Sequence, residues 1–362
     1  MSSLIVEVCK VDNIEKHPNA DKLSIITVKG WNCIVGLDQY KQGDLVVFVP
    51  PDSILPESLI KKYNLTYLKN GGRVGTTKLR GYISQGLILD VPEGKYRVGD
   101  DVSEVLGITK WQPPEPAFHN QANQVSKKKL NPYFDKYTDI ENIKNYNYIF
   151  QDGDMVVISE KIHGCNSRYA NLPIVIDKSQ PLKYKIKNWV NKNIFKNTHQ
   201  FIYGSHNVQL HSGNKDNNFY GEDMWGKIAK KYNLKDTIPK DYIVYGEVFG
   251  SKVQDLTYGL KDEIDFRVFD VKYNGRYLPF NKMEDFCNEH NLPIVPILFI
   301  GSFKKELLEE YTNGKSIICP TQIREGCVIK DYHETQDRHL GRKILKSVSA
   351  NYLTRKNGTE YQ

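Results

Sequence analysis

The sequence predicts an α+β protein of two domains, an all-β barrel followed by a larger mixed domain. Three observations carry this reading. The 362 residues exceed the length of one ordinary domain. From Leu4 to about Gly107 the chain is built of short β-branched runs separated by Gly, Pro, Asp and Asn. Beyond a polar connector, strand-like runs alternate with segments of helical period.

The elements follow in order. "LIVEVCKV", "LSIITVKG", "NCIVGL", "DLVVFVP" and "GLILDV" read as strands, and "PPDSILPESLIKKYNL" interrupts them with a short helix. Few, short, evenly spaced strands with one intervening helix predict a small Greek-key barrel of the OB type. Residues 1–108 are therefore taken as this domain, and residues 109–135 as a linker. The stretch "WQPPEPAFHNQANQVSKKKLNPYF" is rich in Pro, Gln, Asn and Lys and reads as an exposed connector. Residues 136–362 form the second domain. Its strands include "GDMVVISEKI", "DYIVYGEVFG", "IDFRVFDVKY" and "EGCVIKD"; its helices include "GEDMWGKIAKKYN", "MEDFCNEHN" and "KKELLEEYTN".

Composition narrows the class. Hydrophobic residues make up 40% of the chain and charged residues 26%, enough to bury two cores. The net charge of +7 fits a polyanionic partner without demanding one. Cys9, Cys33, Cys165, Cys287, Cys319 and Cys327 are scattered with no CxxC pair, so neither a zinc site nor a disulfide framework is suggested and reduced thiols are expected. The N-terminus lacks the basic start and apolar run of a signal peptide, and no window approaches the ~20 apolar residues of a membrane span. An intracellular setting, cytoplasmic or nuclear, is expected.

The chemistry centres on "EKIHGCN" at 160–166. A lysine in this setting is either a solvated charge or a nucleophile, and K-x-x-G alone does not decide. An ordered series follows it: "YGSHN" at 203–207, "YGEVFG" at 245–250, "FRVFDV" at 266–271, "EGCVIK" at 325–330 and "GRKILKSVS" at 341–349. The series resembles the covalent nucleotidyltransferase superfamily of polynucleotide ligases and capping enzymes. Within it, "EKIHG-x-N", "GSH" and "LKSVS" are most similar to ATP-dependent RNA ligases with an OB domain before the adenylyltransferase domain. The resemblance implies a C-terminal nucleotidyltransferase (ATP-grasp-like ligase) domain of antiparallel sheets and helices. It covers Val6 to about Tyr352.

Residue chemistry stands beside it. A deprotonated lysine amine attacks the α-phosphorus of ATP, which makes Lys161 the nucleophile and lysyl-AMP its product. Gly164 lets the chain pass under a nucleotide, Asn166 offers an amide to the ribose, and Glu160 sits beside the base, where its backbone reads the adenine edge. Ile162 and Ser205 complete the nucleotide contacts that the resemblance implies. Phosphoryl transfer needs carboxylates for hydrated Mg²⁺ or Mn²⁺, and Glu247 and Glu325 supply them, through water. The family pattern implies Lys346 at the α-phosphate, with Lys343 in support, although Ile344 stands where related ligases carry the first lysine of a K-x-K pair. It also implies Phe269 stacked on adenine, with Phe266 as the alternative. Arg168 is placed to reach the ribose or a phosphate. His163 is given a structural role, and Cys165 no chemistry.

In the first domain, "HPNADKLSIITV" at 17–28 and "GYISQGLIL" at 81–89 resemble the tRNA-binding OB modules attached to some synthetases. These residues either shape the barrel or help it hold RNA, with Lys61, Lys62, Arg73, Lys78, Arg80 and Tyr82 as contacts; Arg73, Lys78 and Arg80 lead. "NGGRVGTTKLRG" fails the P-loop spacing because Thr76 follows Gly71 by five, and is read as a shaped loop. "KYKIKNWVNKNIF" at 183–195 either lines an RNA path or solvates a helix face, the latter being favoured.

The resemblance thus implies sealing of RNA 3′-OH and 5′-phosphate ends by ATP through lysyl-AMP and an adenylylated RNA end; separately, a monomer is expected, and the apolar runs give no membrane contact. A GTP-dependent capping-type guanylyltransferase and a non-catalytic RNA- or tRNA-binding protein are the alternatives. Capping enzymes place an OB domain after the last motif, and here 13 residues follow Ser349.

Overall fold

In the computed structural model of the chain, residues 4–68, 71–112, 131–175, 182–193, 198–210 and 223–356 are described. They fall into two compact units. The first comprises residues 1–115 together with 140–147 and 347–362; the second comprises 116–139 and 148–346.

The first unit is the expected OB-type barrel. Strand Leu45–Val49 pairs antiparallel with Glu7–Lys10 on one side and Leu87–Leu89 on the other. Strands Asn13–Lys16, Leu23–Val28 and Trp31–Gly36 form a meander. Alternation along Leu45–Val49 feeds two cores at once: Val47 and Val49 pack with Val6, Val8 and Leu89, whereas Val46 and Phe48 pack with Val11, Val28 and Trp31. That two-sided burial explains why this run reads as continuously apolar rather than alternating. The predicted short helix is Glu57–Lys62. The glycine-rich loop leads into a hairpin, Thr76–Leu79 with Tyr82–Gln85. Gly72 there has a φ of +93° and lies close to the Leu55 carbonyl, so it shapes a turn as expected.

The second unit holds two antiparallel sheets. One has six strands in the order Gln209–Leu210, His199–Ser205, Cys165–Pro173, Tyr242–Gly250, Ile264–Tyr273, Arg276–Tyr277. The other contains Ile344–Val348, Gly326–Asp331, Met155–Lys161 and Ile297–Ser302 as successive neighbours. Helices Met224–Lys231 and Phe280–Glu289 bury Trp225, Ile228, Phe280, Met283 and Phe286 in a common core with Val244, Val248, Phe266 and Val271. Asp223 caps the first of these helices by accepting from the Gly226 amide at 2.7 Å.

Residues 131–135, expected in an exposed connector, differ from that reading: Asn131 and Phe134 are each 1% exposed. The polar residues around them satisfy strand carbonyls instead of water, as with Asn131 Nδ2 on Pro173 O at 3.0 Å. Residues 113–130 lie outside the described residues. Among the described residues no helix is long and apolar enough to cross a membrane.

Candidate active site

Lys161 ends strand Met155–Lys161 of one sheet, and Cys165 opens a strand of the other. Ile162, His163 and Gly164 carry the chain across the seam between the two sheets. The crossing is tight, because a Cβ on Gly164 would overlap the Val248 carbonyl oxygen and press on Glu247. Glycine is required there by close approach to a strand.

This crossing brings the predicted charges together. Lys161 Nζ lies 2.5 Å from Glu325 Oε1. Glu325 is 2% exposed, and its Oε2 has no hydrogen-bond partner. Glu247 lies directly across the sheet from Asn166 on one side and Arg267 on the other. Burial, reinforced by the Glu325 charge and only partly offset by Lys161, pushes the Glu247 carboxyl up to about 8. Around Lys161 two influences oppose each other. Desolvation lowers its pKa, but the Glu325 and Glu247 carboxylates outweigh it and hold the ammonium charged.

His163, expected to be structural, is held among these charges by its neighbours. Its Nε2 meets Asp255 Oδ1 at 2.8 Å, its Nδ1 faces Glu325 Oε2 at 3.7 Å, and its amide donates to Tyr258 Oη at 2.7 Å. Desolvation leads the influences that lower its pKa. Asp255 and Tyr258 were not legible in the sequence, since the loop "SKVQDLTYGL" carries no motif.

Glu160 points away from the lysine on the same strand. Its Oε2 accepts from the Ile317 amide at 2.8 Å, while Oε1 is buried without a partner. Its backbone amide donates to Pro296 O at 2.8 Å, so that donor does not read a base edge as expected. Asn166 Oδ1 is likewise buried without a partner. Ile162 is 4% exposed, beneath the crossing.

Four expected contacts are placed differently. Arg168 is 3% exposed and donates Nε to Ser205 O at 2.9 Å and Nη1 to Phe134 O at 2.7 Å. Its guanidinium thus ties strands together, and Ser205 serves as its partner. Lys343 reaches Asp154 Oδ2 at 2.9 Å, and Asp154 immediately precedes the lysine strand, at the end opposite Lys161. Lys346 lies half-buried in strand Ile344–Val348 of the sheet that carries Lys161. Phe266 is fully buried in the core against Tyr169 and Tyr232, which removes it as the stacking ring. Phe269 remains half-buried on the opposite side of its strand, at a bulge.

A divalent cation fits the carboxylate pair. Glu325 Oε2 is a buried acceptor with no hydrogen-bond partner, and burial disfavours the charged form of Glu247. Among the described residues no group of three or more His, Cys, Asp or Glu has the arrangement to hold a metal ion by protein ligands alone. Two carboxylates completed by water and phosphate oxygens are how Mg²⁺ is usually held beside a nucleotide.

In the first unit, Arg73 is committed to Asp52 Oδ1 at 2.5 Å and stacks on Trp111 at 3.5 Å. Lys78 and Arg80 stand exposed on the Thr76–Gln85 hairpin beside Tyr82, which is 40% exposed. Lys61 and Lys62 are exposed on helix Glu57–Lys62, Lys61 paired to Glu57. The helix Leu182–Asn193 leaves Leu182, Ile186 and Trp189 more than half exposed, so its face is not simply a solvated lysine face.

Comparison with known proteins places this geometry. The RNA ligase family model matches residues 154–348, and a model of an OB-fold domain matches residues 5–91. Naegleria gruberi RNA ligase, in a mutant form with ATP and Mn, shares the fold with a TM-score of 0.72 at 23% identity, over 96% of this chain and 98% of that one. The same ligase with PPi gives a TM-score of 0.70 at 24% identity, over 97% and 98%. The phenylalanine–tRNA ligase beta subunit of Bdellovibrio bacteriovorus is 34% identical over 110 residues, 26% of this chain and 14% of that protein.

Proposed function

The chain belongs to the RNA ligase family, and from that premise we propose that Lys161 is the residue through which it uses ATP to seal RNA ends. The observation that carries the assignment is the pairing of half-buried Lys161 with buried Glu325 beside Glu247, at a crossing only glycine permits. Naegleria gruberi RNA ligase, whose fold this chain shares, binds ATP, AMP and Mn.

Lys161 Nζ attacks the α-phosphorus of ATP, an N–P bond forms, and the bond to pyrophosphate breaks. An RNA 5′-phosphate oxygen then attacks the lysyl-AMP, releasing the amine and forming an adenylylated end. The 3′-OH of the other RNA end finally attacks that phosphate, and AMP leaves. Glu325 holds the Lys161 ammonium in line as an ion pair and takes its proton as the N–P bond forms. Asn166 Oδ1 and Glu160 Oε1 await hydrogen-bond donors on the nucleoside, and Phe269 stacks on adenine. Lys346 meets the α-phosphate. Mg²⁺ or Mn²⁺ on Glu247 and Glu325 would neutralise phosphate charge and relieve the carboxylate field that keeps Lys161 protonated.

The barrel supplies the grip on RNA. His17 Nδ1 accepts from the Asn19 amide at 3.1 Å, so Nε2 carries the proton and donates to Leu79 O at 3.3 Å. Asn19 Nδ2 donates to Arg80 O at 3.1 Å. The "HPNADKL" residues thereby pin the hairpin that presents Lys78, Arg80 and Tyr82 for phosphate and base.

Incubation with α-labelled ATP or GTP and Mn²⁺, followed by a denaturing gel, tests the reading. Label from ATP that vanishes in Lys161→Ala is expected. Label from GTP moves the assignment to capping chemistry, and no label with RNA binding retained moves it to a binding protein.

A further inference from the structure

Residues 131–139 precede the family-matched region, yet they run across the six-stranded sheet as a strap. Phe134 O accepts from Arg168 on one strand, and Asp135 O accepts from Tyr245 Oη at 3.0 Å on the next. Tyr137 Oη donates to Asp270 Oδ2 at 2.9 Å on the third, and Thr138 N donates to Tyr277 Oη at 3.2 Å on the fourth. These four strands are consecutive in the sheet.

We infer that Tyr137 is a positioning residue that sets the orientation of Phe269 and so governs recognition of the nucleotide's purine base. The inference rests on the reading of Phe269 as the ring stacked on adenine. Tyr245 pairs with Asp270 and Gly246 with Val268, which leaves Phe269 as the extra residue of the bulge, outside the ladder. Its side chain must therefore be aimed by neighbours. Tyr137 meets it edge-on, with ring centroids 4.6 Å apart and planes at 61°.

Tyr137 is itself fixed at its far end. Its hydroxyl also receives Arg342 Nη1 at 3.1 Å, and Arg342 bonds Asp270 and Glu334. Lys330 Nζ closes the cluster 3.2 Å from Asp270 Oδ1. Tyr245 and Tyr277 flank the Tyr137 ring at 5.2 and 5.7 Å. The ring thus has one available orientation, and Phe269 inherits it.

Lysine adenylylation measured against ATP concentration in Phe269→Leu, Tyr137→Leu and the double variant tests this. Phe269→Leu should raise KM for ATP about tenfold and leave the rate at saturating ATP near wild type. Tyr137→Leu should raise KM about three- to tenfold with the same split. The double variant should be no worse than Phe269→Leu, because the tyrosine acts only through the phenylalanine. Additive effects, or a fall in the saturating rate with KM unchanged, overturn the positioning role. A raised KM in Phe269→Leu with none in Tyr137→Leu overturns it too, while leaving the stacking assignment standing. An unchanged KM in Phe269→Leu overturns the stacking assignment and the inference together. If Tyr137→Leu does not fold, Tyr137→Phe keeps the ring and volume, and the same cycle run with it, expected at about a two- to threefold KM effect, decides.

Discussion

Lys161 shows how a single residue can be held charged at rest and be ready to react. Its ammonium is stabilised chiefly by the Glu325 carboxylate and, where it is ionised, by Glu247, and a cation held by them would remove that stabilisation and let desolvation favour the neutral amine. Glu325→Gln removes the nearer carboxylate and should cut the adenylylation rate about 10²- to 10³-fold, read as label per minute at saturating ATP. A variant within tenfold of wild type would remove Glu325 from the chemistry. Gly164→Ala tests the crossing. Its Cβ has no room beside the Val248 carbonyl, a backbone atom that cannot swing aside. Labelling should fall at least about tenfold, with a melting temperature lower by several degrees. The sequence could single out these positions because the roles proposed for them, a nucleophile, its carboxylates and a close-approach glycine, each demand a chemically constrained residue type. Arg168 and Lys343 misled for the converse reason. A cation's identity says nothing of its partner, and here carbonyl oxygens and Asp154 claim them.

At the scale of elements, the Thr76–Gln85 hairpin was readable as two short strands, but its tether was not. His17 and Leu79 are 62 residues apart in sequence and joined by one hydrogen bond. His17→Ala should leave adenylylation of Lys161 unchanged and weaken RNA binding about three- to tenfold in a titration at fixed salt, as the hairpin loses its orientation. Unchanged affinity would detach the hairpin from RNA. Residues 140–147 form a second tethered element within the first unit. Lys144 donates to Gln85 Oε1 at 2.9 Å and lies 4.6 Å over the Trp31 ring. Desolvation lowers its pKa from 10.5 to about 8. Between those values the unfolded chain binds the proton and the folded chain does not, so this residue's contribution to stability rises with pH across about 8 to 10.5. Below about 8 the burial cost of the ammonium is fully present. The unfolding free energy of wild type relative to Lys144→Met, read from denaturant titrations, should therefore climb over that window, by an amount on the order of 1–3 kcal/mol. A flat difference would mean the Trp31 face keeps the ammonium charged throughout.

For the molecule as a whole, the strand runs announced a barrel and a mixed domain, but not which later residues fold with the barrel. "ENIKNYN" at 141–147 and "SVSANYLTRK" at 347–356 carry no composition that assigns them, yet both belong to the first unit, where Ile143 and Tyr352 are 6% and 3% exposed. The contacts that tie Lys144 to Gln85 and Trp31 span 59 and 113 residues of chain, which a local reading does not sample. The consequence is specific for a deletion of residues 1–108. Lys161, Glu247 and Glu325 all lie in the second unit, together with the strands and the loop that hold them. Lysine adenylylation should persist in the truncated chain within about tenfold of wild type. The truncation uncovers Ile143 and Tyr352, so the product should also aggregate more readily, detectable by light scattering. Joining of RNA ends is a different demand, because it needs a 3′-OH strand held beside the adenylylated end and the deletion removes Lys78, Arg80 and Tyr82. Sealing should fall by at least about a hundredfold, and it should not be restored by supplying a pre-adenylylated RNA, since the missing step is alignment rather than activation. Recovery of sealing with the pre-adenylylated RNA would place the barrel's role before the joining step, and equal sealing by both forms would give it no role at all.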